Sequence, residues 1–385
     1  MIKQVEGGVC AAKGFTANGI HCGIRKNKSK RDLALIFSEV PASAAAVYTT
    51  NLVKGAPITV NKKHLADGVE KAEAMCGLLS EAMDLPAENV VVASTGVIGL
   101  PFELDPIARG IPSLVAGLGC KSREAAEGIM TTDTVVKEIA VEFEAGGKTC
   151  RIGGIAKGSG MIHPNMATML VFITTYCAVA PVMLQKALSS DVENTFNMVS
   201  VDGDTSTNDM VVVLANGRAG NAEITVENDD YAAFMQALNT VTVNLCRRIA
   251  GDGEGATKLL ECRVGGAATA EIAKKCAKSV VCSSLTKAAM FGADANWGRV
   301  LCALGYAGVP LDVDKIDVAF ASAAGTVQVC KNGAGVPFSE EKAKEILLEK
   351  EIVILVELNA GAYASAAWGC DLTYEYVKIN GDYRT

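Results

Sequence analysis

The chain has 385 residues, of which 50% are apolar and 21% charged, with 38 glycines and a formal net charge of -7. Such a length exceeds one ordinary core and predicts two domains, and the composition excludes disorder in favour of a mixed α/β protein with many tight turns. The acidic balance excludes a nucleic-acid partner or an anionic membrane surface, because either needs a positive field.

The N-terminal stretch carries no apolar run of signal-peptide length. No later segment reaches the roughly 20 apolar residues of a membrane span, so a cytoplasmic location is expected. Thirteen cysteines run from Cys10 to Cys370 without a C-x-x-C pair, which predicts small buried thiols in place of a disulfide framework. The three histidines, His21, His64 and His163, are far apart in sequence, so no structural metal site is expected.

Strand-like and helical runs alternate along the chain. Residues Lys62 to Met83 have apolar side chains at helical spacing, and Glu88 to Ala93 reads as a buried strand ending in the turn Ser94-Thr95-Gly96. Ile139 to Glu144 alternates as a half-buried strand does, and Gly146-Gly147 followed by Lys148 to Ile152 predicts the return arm of a hairpin. A glycine-rich loop is expected from Gly153 to Gly160, continuing to Ala167, after which Thr168 opens a central strand of strongly β-forming residues. Pro181 to about Val199 reads as a helix and Met210 to Leu214 as a short strand. A boundary near Cys262 to Ala268 divides domain 1–265 from a smaller α/β domain, 266–385. That domain holds helices at Ala270 to Ala277 and Glu340 to Lys350, a strand at Ile352 to Leu358 and a polar tail.

With so few imidazoles, acyl or amide chemistry has another route: an N-terminal threonine whose own α-amine takes the hydroxyl proton while Oγ attacks. The reference pKa of an α-amine, about 7.7 to 8.0, suits a base at neutral pH. Thr168 acquires such an amine only if the bond from Ala167 is broken. Its Oγ can attack the Ala167 carbonyl, shift the acyl group from nitrogen to oxygen and leave an ester that water opens. Gly158, Gly160 and Pro164 allow an unusual loop geometry there, although from these residues alone a plain structural loop before a core strand is the favoured reading. Two other signals are set aside. In Gly251-Asp-Gly-Glu-Gly255 the acids Asp252 and Glu254 stand where phosphate would sit, and Lys157 is followed by Gly158, not by the Ser or Thr of a phosphate loop. His163, a loop histidine before proline, is a structural residue or a base.

The string Gly154-Ile-Ala-Lys-Gly-Ser-Gly-Met-Ile-His-Pro-Asn-Met-Ala-Thr-Met-Leu170 resembles the self-processing site of the ornithine acetyltransferase family, the bifunctional glutamate N-acetyltransferases of arginine synthesis. The likeness extends to Asp32 to Ile36 with Thr49-Thr-Asn51, Ser94 to Gly99, Met130 to Thr134, Ser200 to Asp209, Gly251 to Thr257, Asp294 to Arg299 and Asn380 to Thr385.

This resemblance implies a self-processing, layered α/β (α+β) sandwich similar to N-terminal-nucleophile hydrolases and to a D-aminopeptidase relative. It implies cleavage between Ala167 and Thr168 into 1–167 and 168–385, the pieces assembling as an α2β2 heterotetramer. Thr168 would be the nucleophile, and Thr95 and Gly96 the oxyanion hole. Thr131, Lys157, Thr168, Glu254, Asn380 and Thr385 would bind substrate, with Lys157 toward a carboxylate, Glu254 toward the ornithine ammonium, and the tail returning to the site. The implied reaction moves an acetyl group from N2-acetylornithine to glutamate with no metal or redox cofactor. Whether acetyl-CoA also donates is left open. So are a hydrolase or aminopeptidase using the same threonine, and a non-catalytic amino-acid-binding protein.

Overall fold

The computed structural model describes residues 2–63, 70–96, 103–163 and 169–381. Its strands, in chain order, are β1 (Lys3–Val5), β2 (Phe15–Ile20), β3 (Leu33–Ser38), β4 (Ser43–Tyr48), β5 (Lys137–Ala145), β6 (Lys148–Lys157), β7 (Leu170–Thr175) and β8 (Val199–Ser200), followed by β9 (Met210–Ala215), β10 (Leu259–Ala267), β11 (Asp317–Ser322), β12 (Gly325–Lys331), β13 (Ala334–Gly335), β14 (Glu351–Glu357) and β15 (Tyr363–Cys370). The chain divides into two compact units. One comprises Met1–Gly158, Asn165–Val192 and Thr205–Leu245, the other Ser159–Pro164, Glu193–Asp204 and Cys246–Thr385. Residue 265, where the sequence reading divides the chain, therefore falls inside β10.

The first unit is built on a six-stranded sheet in the order β1-β5-β6-β7-β9-β4. All neighbours are antiparallel except β7 and β9. The expected β5–β6 hairpin is present, and its two turn glycines have φ of 55° and 67°, the left-handed pair that a two-residue turn matching strand twist requires. A separate antiparallel pair, β2–β3, lies beside the helix Ser122–Ile129. Val9, Ala17, Ala125, Ala126 and Ile155 form one core cluster, and Ile58, Leu170, Met210 and Val212 another.

Three sequence readings in this unit change. The expected glycine loop starts later, because Gly153 to Lys157 extend β6. A Cβ on Gly153 would lie 1.9 Å from Gly8 O, so the glycine lets the short 3-10 turn Gly8–Ala11 pack on the strand. The predicted helix over 62–83 corresponds to two, Ala56–Lys63 and Glu70–Met83, with 64–69 outside the described residues. The predicted strand at Glu88 to Ala93 is instead a 3-10 turn, Ala87–Asn89, followed by residues that join no strand of the described residues. There the Asn61 amide replaces a neighbouring strand, donating to Val92 O (2.7 Å) and accepting from Val92 N (2.9 Å).

The helix starting at Pro181 ends at Val192, short of the expected Val199. In the second unit a seven-stranded sheet runs β13-β12-β11-β14-β10-β15-β8. Its helices begin where side chains satisfy the first free N–H groups. Thr269 caps Ala270–Cys282, Ser283 caps Ser284–Phe291, Asn296 caps Trp297–Gly305 and Ser339 caps Glu340–Leu347. All thirteen cysteines are free thiols, most of them buried. No helix of the described residues is long and apolar enough to cross a membrane.

Candidate active site

In the first unit β6 ends at Lys157, whose side chain is 2% exposed. A buried ammonium needs opposite charge nearby, and Asp133, also buried, provides it. The β5–β6 register pairs Lys137 with Ala156, bringing a second buried lysine to the same carboxylate. Asp133 Oδ1 accepts from Lys137 Nζ and from Gly158 N, both at 2.7 Å, and Oδ2 accepts from Thr131 N at 2.9 Å. One carboxylate thus ties Thr131, ahead of β5, to the Lys157–Gly158 end of β6. Burial alone would raise its pKa, but Lys157, Lys137 and the Gly158 N–H outweigh that and hold Asp133 at about 2.

A second buried carboxyl stands at the start of β7 and β9. Leu170 pairs with Met210 in parallel register, and one residue earlier Asp209 Oδ1 accepts from Met169 N at 2.9 Å. The side chain so continues the ladder past the strand ends. The preceding residues are held by Thr49 Oγ1 donating to Ser206 O (2.7 Å) and Asn51 Nδ2 donating to Thr205 O (2.8 Å). Asn208 Nδ2 donates to Ser94 O at 2.8 Å, fixing the residue before Thr95 and Gly96. Thr95 is half-buried and Gly96 exposed. No described atom lies within 4 Å of where a Cβ on Gly96 would stand.

In the second unit Glu254 is 7% exposed. Its Oε2 accepts from Asn380 Nδ2 at 2.8 Å, and its own N–H is donated to Ser159 O at 2.8 Å. Ser159 Oγ donates to Asp252 O at 2.6 Å. A Cβ on Gly160 would meet the Glu254 carboxyl group at 2.3 Å, so glycine leaves the carboxylate its place. Asp371 fixes the end of the 251–257 segment by accepting from the N–H groups of Thr257 (2.8 Å) and Lys258 (3.0 Å). His163 Nδ1 lies 3.1 Å from Ser200 Oγ and 3.5 Å from Cys282 Sγ. Burial, with Lys278 adding to it, lowers this imidazole to about 4. It is neutral near pH 7, as a packed structural histidine is.

Within the first unit the structure therefore brings Thr131 and Lys157 to one carboxylate, and within the second it pairs Glu254 with Asn380. Ala167, Thr168 and Thr385 lie outside the described residues. Sequence reasoning assigned no role to Asp133, Lys137, Asn208 or Asp209. Their signal was a polar residue set directly against a strand, as in Lys137-Glu-Ile and Asp209-Met-Val-Val-Val, but short polar runs also read as solvated turns. Among the described residues no three His, Cys, Asp or Glu side chains are grouped to hold a metal ion.

Paired buried charges at strand ends of a mixed sheet are features of an α/β enzyme for small ionic molecules. The ArgJ family model matches residues 16–385, and the chain belongs to that family. It is 49% identical over 406 aligned positions to the arginine biosynthesis bifunctional protein ArgJ of Symbiobacterium thermophilum, covering 100% of both chains. It is 47% identical to arginine biosynthesis bifunctional protein ArgJ 1 of Clostridium acetobutylicum, over 96% of each. Among solved structures it is similar to arginine biosynthesis bifunctional protein argJ from Bacillus halodurans, at 47% identity and a TM-score of 0.52, over 55% of this chain and 97% of that one.

Proposed function

We propose that the chain is a self-processing acetyltransferase of arginine synthesis, which moves the acetyl group of N2-acetylornithine to glutamate through an acetyl ester on Thr168. The observation that carries this reading is the family match over residues 16–385, with identity near one half to curated arginine-biosynthesis proteins along their full length. The clamp that Asp133 places on Thr131 and Lys157 supports it, because an amino-acid substrate needs charged groups fixed in advance. The lengths are also compatible. Just over half of this chain spans nearly all of the solved Bacillus halodurans chain, a share close to that of residues 168–385.

Thr168, freed from Ala167, attacks the acetyl carbonyl while its amine takes the hydroxyl proton. Thr95 and Gly96 donate to the oxyanion, each such donor being worth about 3 kcal/mol of barrier. Ornithine leaves, and the amine of glutamate collects the acetyl group. Lys157 answers a substrate carboxylate and Glu254 the ornithine ammonium, with Thr131, Asn380 and Thr385 completing the binding set. The word bifunctional in the relatives' names favours acetyl-CoA as a second donor. No metal enters this scheme, the pieces 1–167 and 168–385 stay together as an α2β2 heterotetramer, and the compartment is the cytoplasm.

The deciding experiment is electrophoresis and N-terminal sequencing of purified protein, followed by product analysis with and without glutamate. Two pieces, the second beginning at Thr168, and N-acetylglutamate formed only when glutamate is present are expected. A Thr168→Ala chain that keeps full acetyl exchange would refute the scheme, and release of free acetate at an undiminished rate would mark a hydrolase instead.

A further inference from the structure

The loop between β2 and β3 carries five cations in the seven residues 25–31, Arg25, Lys26, Lys28, Lys30 and Arg31, and no acid, in a chain whose net charge is -7. Both of its ends are fixed. Asp32 turns back on the loop and accepts from the N–H groups of Cys22 (2.7 Å), Gly23 (3.2 Å) and Arg25 (3.0 Å). Arg31 donates to Gly19 O at 2.9 Å and pairs with Glu127. The loop therefore stands on the last turn of the helix Ser122–Ile129. A Cβ on Gly128 in that turn would lie 2.9 Å from Leu33 O, where β3 begins. Thr131, bound to Asp133, comes two residues after the helix.

Elsewhere the exposed Lys186, Lys275, Lys315, Lys342 and Lys378 each have a carboxylate within 4 Å. Lys26, Lys28 and Lys30 are exposed and have no such partner among the described residues. Arg25 is half-buried, and its guanidinium likewise makes no ion pair or hydrogen bond among them. Burial lowers the pKa of Arg25 from its ordinary value, and the Asp32 and Asp133 carboxylates oppose that. It thus lies in the field of the carboxylate that holds Thr131 and Lys157. Four like charges gathered in one loop repel one another, a cost that a polyanion relieves. Acetylornithine and glutamate carry no phosphate, so exchange between them leaves the loop unused. Coenzyme A carries a pyrophosphate and a ribose phosphate, together about four negative charges at neutral pH. Its pantetheine arm sets these apart from the thioester, which suits a loop outside the amino-acid pocket but joined to Thr131 through the end of a helix.

We propose that loop 25–31 is the docking site for the phosphates of acetyl-CoA, with Arg25 on the side of the pocket and Lys26, Lys28 and Lys30 on the nucleotide end. The proposal rests on the reading that acetyl-CoA is a second acetyl donor.

Lys26→Ala/Lys28→Ala/Lys30→Ala in the full chain tests the proposal, since all three side chains are exposed and their loss leaves no buried charge unpaired. KM for acetyl-CoA in the formation of N-acetylglutamate should rise about tenfold, several exposed ion pairs of modest strength being lost together. Calorimetry should show a matching loss in the binding of coenzyme A. That loss should shrink as sodium chloride is raised from about 50 to about 500 mM, because exposed charges are screened. Dephospho-coenzyme A, which lacks the ribose phosphate, should bind the wild type more weakly than coenzyme A does. Transfer from N2-acetylornithine, and from S-acetyl-N-acetylcysteamine, a thioester without phosphate, should keep wild-type rates. An unchanged KM for acetyl-CoA overturns the proposal. Equal losses with all three donors also overturn it, by making the loop part of the fold or of the common pocket. A wild-type chain that transfers from acetylornithine but forms no N-acetylglutamate from acetyl-CoA overturns the underlying donor reading, a result distinct from either.

Discussion

Lys137 Nζ sits 2.7 Å from Asp133 Oδ1, and solvent reaches neither side chain. The pair stands four positions apart, but Asp133 precedes β5 and Lys137 begins it, so the ion pair marks where the strand leaves its turn. Leaving a buried charge wholly unpaired costs about 3–5 kcal/mol, but Lys157 stays beside Asp133 when Lys137 is removed. Lys137→Met should therefore lower unfolding stability in urea by less than that, about 1–3 kcal/mol at neutral pH. A loss below about 1 kcal/mol would show that the pair holds little of the fold together.

Acid should dissolve the same clamp. The folded Asp133 carboxyl, at about 2, lies below its ordinary 3.8, so its contribution is fully present above the unfolded value and is lost as pH falls through the folded one. The stability gap between wild type and Asp133→Asn should be constant above about pH 5 and shrink between pH 4 and 2. Denaturation curves across that range measure it. Because Gly158 and Thr131 lose an anchor with the same substitution, Asp133→Asn should also raise KM for acetylornithine more than it lowers kcat.

His163 behaves oppositely to a catalytic base. Its folded value, about 4, lies below the ordinary 6.5. It therefore stabilises the fold above pH 6.5, and that stabilisation is lost as pH falls toward 4. His163→Asn should flatten the acid decline of stability between those limits. The pH profile of acetyl transfer between 6 and 8 should be left unmoved. A shifted alkaline or neutral limb in the variant would restore the histidine to the chemistry.

Most of the first unit was legible because its signals are local. Alternation from Ile139 to Glu144 and the Gly146-Gly147 pair define the β5–β6 hairpin with no help from distant residues. The Glu88 to Ala93 reading failed for the converse reason: those residues look like a strand, but the partner they meet is the Asn61 side chain, 31 positions away from Val92. The strand character of Gly153 to Lys157 was hidden because glycine usually breaks strands, and only the approach of Gly8 explains Gly153. Of the candidate residues, Lys157 and Glu254 were singled out inside the motif strings, though both are buried. The buried carboxyls Asp133 and Asp209 were not, since burial of a polar residue is a property of the fold and leaves little trace in a short string.

Glu254 separates two steps of the proposed cycle. If its carboxylate meets the ornithine ammonium, Glu254→Gln should reduce ornithine-dependent turnover by about tenfold or more while hydrolysis of a simple acetyl ester falls much less. A charge-assisted hydrogen bond contributes roughly twice a neutral one. Equal losses in both assays would reject the assignment. The tail offers a matching measurement: removal of 382–385 should weaken acetylornithine binding, and unchanged affinity would remove Thr385 from the binding set.

Gly160 provides a probe of Glu254 that leaves the carboxylate itself intact. Its missing Cβ falls 2.3 Å from the carboxyl carbon of Glu254 and 2.5 Å or less from both oxygens, a contact that no real Cβ tolerates. The obstructed atoms are the tip of a flexible side chain, so Gly160→Ala should be relieved by rotation of Glu254 and not by movement of the backbone, at a cost to folding of about 1 kcal/mol or less. That rotation must break the 2.8 Å hydrogen bond from Asn380 Nδ2. Gly160→Ala should accordingly reproduce the ornithine-side defect of Glu254→Gln, and adding Asn380→Ala to it should cost little more, because the two act through one contact. Kinetics of the three single variants and the Gly160→Ala/Asn380→Ala double variant measure this. Additive losses, or a Gly160→Ala protein with normal KM, would show that the position of the carboxylate is set by something other than the space glycine leaves.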